Sequence, residues 1–338
     1  MSRPVRVAIN GFGRIGRSFF KTAYNHPDIE IVCVNDLADI KTLSHLLKYD
    51  SVHGIFQPEL KVENDYLQID NTKTFFTSIA SIEDLNWDKY DVDIVIESTG
   101  KYKTKKTLQH HNKNGAKKVI LSAPSVDDDI KMLILGVNDD KFDFTQPIIS
   151  LASCTTNNSA PMLHILHQAL GVKKAYITTV HSYTSDQSLH DQPHRDLRRA
   201  RAATQSIVPT TTGAAKALTK VFPDLSEVIG GCGIRVPVPN GSLTDMTIVT
   251  KKNTTEEEVN HLFLDYIRDQ KFRNIVKYLD VPLVSKDIIG SPYSCLYDVE
   301  MTSVIGGDLI KLIGWYDNEI GYSNRLLDTL TQTSFPAS

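Results

Sequence analysis

The chain has 338 residues, 41% of them hydrophobic and 23% charged, with a formal net charge of −3. That length suffices for two domains with real cores, and so weak a charge gives no support to nucleic-acid or membrane-surface binding. No run is long enough to span a bilayer, the N-terminal residues lack the apolar stretch of a signal peptide, and there are no repeats, so a soluble cytoplasmic α/β protein is expected.

The first predicted element is a strand, Val5 to Asn10, running into Gly11-Phe12-Gly13-Arg14-Ile15-Gly16. A helical pattern follows from Arg14 to Tyr24, with Ile15, Phe19 and Ala23 along one side. A G-x-G-x-x-G string alone is weak, but here it has a strand before it and a helix after it. A further strand, Ile29 to Val34, then ends at Asn35-Asp36, twenty residues past Gly16. Gly11 permits the tight turn, Gly13 lets the backbone approach a pyrophosphate, and Gly16 lets helix and strand pack closely. Asp36 would accept from the adenine-side ribose hydroxyls and repel a 2′-phosphate, which favours NAD over NADP. A plain turn-forming aspartate is the competing reading. Predicted strands Asp93–Glu97 and Lys118–Leu121 stop at Ser98-Thr99-Gly100 and Ser122-Ala123-Pro124, small polar ends suited to the same crevice. Alternating strands and helices over about 150 residues predict a doubly wound parallel sheet. Lys103, Lys105, Lys106 and Asp127 to Asp129 are expected to be solvated.

The run Ile148 to Ala152 reads as a buried strand ending just before Cys154. Thr155 to Ser159 is a cluster of helix-capping residues, followed by an apolar rhythm at Met162, Ile165, Leu166, Ala169 and Leu170 that predicts a helix beginning just after the cysteine. A thiol at that junction feels the helix dipole, which favours thiolate. Twenty-seven residues on, the strand-like run Ala175 to Val180 delivers His181 to its end. Together they are a candidate nucleophile and base. Core packing is the competing reading of a single cysteine. Cys33, Cys232 and Cys295 lack such surroundings, and the spacing of the four fits neither a zinc site nor a disulfide framework, which points to a reducing compartment.

The stretch 182–207 is charged and aperiodic, a length of loop that is usually functional. It carries Arg195, Arg198, Arg199 and Arg201, two of which are expected to be solvated or to lie at a subunit interface. Thr210-Thr211-Thr212-Gly213 precedes a predicted helix, Ala214 to Val221, and forms a candidate anion site. Arg235, inside the apolar strand-like run Ile234 to Val238, is costly there unless it is paired or faces a ligand.

Several blocks in one order, Gly11 to Gly16, Leu46 to Ser51, Ala152 to Asn157, His181 to Thr184, Thr212 to Lys216, Arg235 to Pro237 and Trp315 to Glu319, resemble the phosphorylating glyceraldehyde-3-phosphate dehydrogenases. The resemblance runs from Val5 to about Leu327. It implies an N-terminal Rossmann-type NAD-binding domain (1–152) and an α+β catalytic domain with a largely antiparallel sheet (153–317, including the loop 182–207). A C-terminal helix (318–338) would return to the first domain. It further implies a homotetramer with the long loop at the interface, working in the cytoplasm in glycolysis or gluconeogenesis without a metal.

The implied reaction is NAD-dependent oxidation and phosphorylation of glyceraldehyde 3-phosphate. Cys154 forms a thiohemiacetal and then a thioester, and His181 lowers the thiol pKa and takes the hydroxyl proton. Thr184, Asp186 and Arg235 match the substrate-phosphate pocket; Ser153, Thr155, Arg199, Thr212 and Gly213 match the inorganic-phosphate pocket. Carried over for the cofactor are Gly11, Gly13, Arg14, Ile15 and Gly16, with Asp36, Thr99, Ser122, Asn318 and Tyr322. Pro193 also fits NAD-preferring members. The chain departs from the family pattern at Asn158, where a second cysteine is usual, and at Ser159, Ser185, Ile320 and the glycine-rich Gly230 to Gly233. The alternatives weighed are erythrose-4-phosphate dehydrogenase, whose thioester goes to water, a non-catalytic NAD-binding interaction protein, and a papain-like hydrolase.

Overall fold

The computed structural model describes residues 3–269 and 271–332, so residues 333–338 of the expected C-terminal segment lie outside the described residues. The chain divides into two compact units, one comprising 1–133, 141–152 and 323–338, the other 134–140 and 153–322.

Strands of the first unit are β1 (Val5–Asn10), β2 (Ile29–Asn35), β3 (Tyr49–Asp50), β4 (Gly54–Ile55), β5 (Lys61–Glu63), β6 (Tyr66–Ile69), β7 (Thr72–Thr77), β8 (Ile94–Glu97), β9 (Lys118–Leu121) and β10 (Ile148–Ser150). Its helices include α1 (Arg14–Ala23), α2 (Ile40–Lys48) and α3 (Lys105–Lys113). The sheet runs β10-β9-β8-β1-β2-β7-β6-β5. From β10 to β7 every pair is parallel, while β6 and β5 extend the edge antiparallel. Ile9, Val95 and Ile120 on the central strands are fully buried, as expected of a parallel sheet covered on both faces. On one side of β1 lie β2, β7, β6 and β5, and on the other the chain resumes outward through β8, β9 and β10. Adjacent β1 and β8 therefore mark the topological switch point, where doubly wound sheets bind ligands beyond the strand ends.

The second unit contains α4 (Cys154–Leu170), β11 (Val172–Ser182), β12 (Val208–Thr210), α5 (Ala214–Val221), β13 (Ile229–Val236), β14 (Ser242–Thr250), α6 (Glu256–Arg268), β15 (Val276–Leu279), β16 (Cys295–Ile305) and β17 (Leu309–Tyr316). The last helix, α7 (Ile320–Gln332), begins in this unit, and its residues from Ser323 onward belong to the first. The sheet order is β12-β13-β11-β14-β17-β16-β15. Only β11/β13 and β15/β16 are parallel pairs; the others are antiparallel. Strand β14 alternates buried and half-buried residues, one face packed on α4. Asn158, one turn into α4, donates its amide to the carbonyls of Ser294 and Trp315, both at 3.2 Å, which fastens the helix to its surroundings. Between β11 and β12, residues 183–207 form the expected long loop without helix or strand.

Candidate active site

Just ahead of Cys154, Ala152 turns the chain through a left-handed conformation (φ 53°). Ser153 then caps α4, its hydroxyl accepting from the Thr156 N–H at 3.1 Å, so Cys154 is the first helical residue. His181 lies near the end of β11, and the parallel register pairs it with Arg235 on β13. Strand pairing thus joins two residues far apart in the chain. The Cys154 sulfur is 3.6 Å from His181 Nε2. On the other side of the ring, Nδ1 is 2.7 Å from the Ser182 carbonyl oxygen, to which Arg235 Nη1 also donates at 2.8 Å. In the tautomer protonated at Nδ1, that carbonyl is the partner of the ring proton and Nε2 is left to accept from the thiol. Arg235 Nη1 is itself 2.7 Å from Nδ1, so the imidazole carries a cation at its back.

These surroundings correct the expectation of an acidic thiol. Burial pushes the Cys154 thiol up to about 11, against the opposing pull of Arg235 and the hydrogen bonds at Thr155. Burial, reinforced by Arg235, presses His181 down to about 3. Desolvation penalises both charged forms, while the Arg235 cation favours the thiolate and opposes the imidazolium. The helix N-terminus is legible in the sequence; the desolvation that opposes it is not.

Tyr316 is a member of this site to which the sequence assigned no role. Its buried hydroxyl bridges Thr155 Oγ1 at 2.8 Å and Thr179 Oγ1 at 2.9 Å, tying the start of α4 to β11. Its ring meets that of His181 edge-on, 5.9 Å between centroids. The only signal in the sequence is an aromatic hydroxyl at the end of an apolar run.

The expected anion-binding residues are partly brought together. Arg199 donates to Asp186 at 2.5 Å, to Thr210 Oγ1 at 3.0 Å and to the Thr211 carbonyl at 3.3 Å, so the long loop is folded onto the threonine run. Asp186, assigned with Thr184 and Arg235, thereby pairs with a residue of the other set, and the two pockets share one ion pair. Although burial raises it, Arg199 and His194 hold the Asp186 carboxyl below its usual range. Thr155 is buried against Tyr316, Thr212 Oγ1 accepts from the Ala214 N–H at 3.2 Å, and Gly213 caps α5. Of the loop arginines, Arg195, Arg198 and Arg201 are exposed and only Arg199 is half-buried, as expected for at least two of them. Burial and nearby Arg199 disfavour the Arg235 cation, and both arginines disfavour the His181 cation. Such a cluster is poised for an anion. Asn318 Oδ1 accepts from Ser182 at 2.9 Å and Ser242 at 3.2 Å, which fixes the orientation of its amide, and Tyr322 is buried.

In the first unit, a cleft of about 340 Å³ beside the switch point is lined by Gly11, Gly13, Asp36, Leu37, Thr99 and Tyr102 among others. A Cβ on Gly11 would lie 2.6 Å from the Thr99 nitrogen and one on Gly16 2.2 Å from the Gly11 oxygen, whereas one on Gly13 would meet only open space. The turn is thus closed on its packed sides and open where a phosphate would approach, so these residues fit a dinucleotide. Asp36 is held at the rim, its carboxylate accepting from Phe12 N at 2.7 Å and Ala38 N at 3.0 Å. The Arg14 guanidinium bonds Asp50 at 3.0 Å, so that side chain serves the fold; Ile15 follows it in the first turn of α1. Ser122 donates to the Glu97 carbonyl at 2.9 Å.

The NAD-binding domain profile of glyceraldehyde 3-phosphate dehydrogenase matches residues 5–105, and the profile of the C-terminal domain matches 153–318. The chain is 48% identical over 325 residues to the glyceraldehyde-3-phosphate dehydrogenase of Geobacillus stearothermophilus, covering 96% of each chain. It is 48% identical to that of Thermotoga maritima, covering 96% of this chain and 98% of the relative. The chain belongs to the glyceraldehyde-3-phosphate dehydrogenase family. Glyceraldehyde-3-phosphate dehydrogenase 1 of Bacillus subtilis is 46% identical, with 96% of each chain covered. Against the pattern of this family, Asn158 fills the place of the usual second cysteine with two hydrogen bonds, and all four cysteines are free. Ser185 is exposed in the long loop, and Ile320 is a half-buried residue at the start of α7. No helix among the described residues is long and apolar enough to cross a membrane.

Proposed function

We propose that this protein oxidises D-glyceraldehyde 3-phosphate with NAD and inorganic phosphate to 1,3-bisphosphoglycerate. The observation that carries this reading is the Cys154 sulfur 3.6 Å from His181 Nε2, with Arg235 against the same imidazole. Its support is the family membership. The Cys154 sulfur adds to the aldehyde carbon as its proton passes to Nε2, and the imidazolium returns that proton to the carbonyl oxygen, giving a thiohemiacetal; while the oxygen is anionic, the Cys154 N–H at the helix start donates to it. NAD, when bound, accepts the hydride. His181 takes the hydroxyl proton as the carbonyl of the thioester forms. An oxygen of inorganic phosphate then attacks that carbonyl, and sulfur leaves with the electron pair of the C–S bond.

In this reading Thr184, Asp186 and Arg235 hold the substrate phosphate, and Ser153, Thr155, Arg199, Thr212 and Gly213 serve the attacking phosphate. The ion pair between Asp186 and Arg199 couples the two. Gly11 to Gly16 hold the pyrophosphate, Asp36 the ribose, Thr99 and Ser122 the neighbouring wall, Asn318 the carboxamide, and Tyr322 packs near the ring. Residues 1–152 serve as the NAD-binding domain, 153–317 as the catalytic domain, and 318–338 as a returning helical segment. The protein works as a cytoplasmic homotetramer. Leu189, Leu197 and Ile207 of the long loop are 63%, 82% and 69% exposed, apolar surface suited to a subunit interface.

NADH formation from glyceraldehyde 3-phosphate, measured with and without inorganic phosphate, tests the reaction. Multiple turnovers are expected only with phosphate. Turnover indifferent to phosphate, or seen only with erythrose 4-phosphate, would mean that water takes the thioester. Asp36→Ala is expected to lower the NAD-over-NADP preference in kcat/KM by about tenfold or more, through lost ribose hydrogen bonds and lost repulsion of a 2′-phosphate. Unchanged selectivity would remove that role from Asp36.

A further inference from the structure

A buried carboxylate lies directly beneath the cofactor cleft. Glu97 ends β8 at the switch point and is only 1% exposed, yet four donors converge on it. Oε1 accepts from the Thr99 backbone N–H at 2.9 Å and from the Thr99 hydroxyl. Oε2 accepts from the Asn10 amide at 2.7 Å and faces His111 Nε2 at 3.0 Å. A carboxylate has about four lone-pair positions, so this set saturates it and offsets the cost of burying the charge.

The direction of every bond in the network is determined. Trp87 Nε1 can only donate, and it does so to His111 Nδ1 at 3.0 Å; the ring proton is therefore on Nε2, aimed at Glu97. On the other side, Asn10 gives its NH₂ to Glu97, so its oxygen is the atom that accepts from Asn35 at 2.9 Å. Asn35 in turn presents its oxygen to Ile79 N and to the Thr77 hydroxyl, both at 2.9 Å, and also donates to the Ile79 carbonyl at 3.0 Å. The carboxylate at one end and the Ile79 peptide at the other thus hold two amides in one consistent direction, across the ends of β8, β1, β2 and β7. Three residues of the cofactor reading adjoin or belong to this network: Gly11 follows Asn10, Asp36 follows Asn35, and Thr99 is a member. Ile79 and Thr99 line the cleft itself.

We infer that Glu97 is the positioning residue of the cofactor cleft, acting on the dinucleotide through Thr99 and through the amides of Asn10 and Asn35. The inference rests on the NAD reading above. With its proton committed to Glu97 and its oxygen accepting from Lys101 N at 3.1 Å, Thr99 can offer a ligand only an acceptor, so it selects a hydroxyl or N–H of the cofactor. Glutamine in place of Glu97 keeps the shape but replaces acceptor positions with N–H donors. At least one of the four donors then loses its acceptor, and the chain of bonds from Ile79 through Asn35 and Asn10 no longer closes on the end of β8.

The test is NAD⁺ binding by calorimetry to the full-length protein, as wild type, Glu97→Gln, Thr99→Val and the double variant, alongside steady-state kinetics. Glu97→Gln is expected to weaken NAD⁺ binding about tenfold, with the KM for the aldehyde at saturating NAD⁺ within about twofold of wild type. Because Glu97 acts partly through Thr99, the double variant should weaken binding by clearly less than the product of the single effects. If Glu97→Gln does not fold, Glu97→Asp, which keeps the charge but cannot reach all four donors, reads the same coupling. Multiplicative effects, or an unchanged Kd in a folded Glu97 variant, would overturn the inference while leaving the cofactor reading intact. A wild-type protein that fails to bind NAD⁺ would sink both.

Discussion

Cys154→Ser is expected to lower kcat/KM for aldehyde oxidation by at least about ten-thousand-fold, while the Kd for NAD⁺ stays within about twofold. Burial already pushes the thiol up to about 11; a hydroxyl at the same place starts from a far higher value and meets the same desolvation. An alkoxide is also a poorer leaving group, so the acyl intermediate would be trapped even if it formed. Serine is tolerated at the start of a helix and is close in size, so the loss should come without unfolding. Oxidation persisting above about one per cent of wild type would remove the nucleophile role from Cys154. Single-turnover NADH formation with the isolated variant makes the measurement clean, because one residual equivalent of contaminating wild type is then countable.

Arg235→Leu carries the second-largest expected effect, and it has two readouts. The guanidinium is mostly withdrawn from water, 2.7 Å from His181 Nδ1, and its own cation is disfavoured by burial and by Arg199. On the proposed assignment to the substrate phosphate, removing this half-buried cation should raise the KM for glyceraldehyde 3-phosphate on the order of a hundredfold, against a few-fold for unphosphorylated glyceraldehyde. The second readout is the pH dependence of Cys154 alkylation by iodoacetamide. A cation stabilises the thiolate and opposes the imidazolium, so its loss raises both pKa values. The alkylation profile should therefore move to higher pH by about one unit. Equal KM effects on the two aldehydes would place Arg235 away from the phosphate, and an unmoved profile would show that its charge does not reach the sulfur.

Much of the first unit was legible in the chain because its signals are local. Val5–Asn10, Lys118–Leu121 and the helix Ala214–Val221 of the second unit have the expected bounds, since apolar runs and capping residues are short-range properties. The strand, glycine turn and helix from Val5 to Ala23, and the acid at Asp36 where the next strand ends, follow from the same kind of reading. The position of Cys154 follows to within a residue: the capping cluster Thr155 to Ser159 announces a helix start, and the structure places the cap at Ser153 and the cysteine as the first helical residue.

What the tertiary structure alone decided depends on contacts between distant segments. The pairing of His181 with Arg235 is a matter of strand register between β11 and β13, and a slip of one residue would turn one of them to the other face. By residue type Arg199 is one of four loop arginines, set apart only by the resemblance; the fold of the loop sets it on Asp186 and Thr210. The sequence assigned Tyr316 no role and Glu97 carries no motif; each matters because donors or acceptors from distant segments meet on it. The sign of the Cys154 shift reversed for the same reason. The sequence by itself determined which groups can do the chemistry and where helices and strands present them, because those follow from neighbours along the chain. Burial, register and the charges that face each group were decided by packing, because desolvation and Coulomb interactions depend on distance in space.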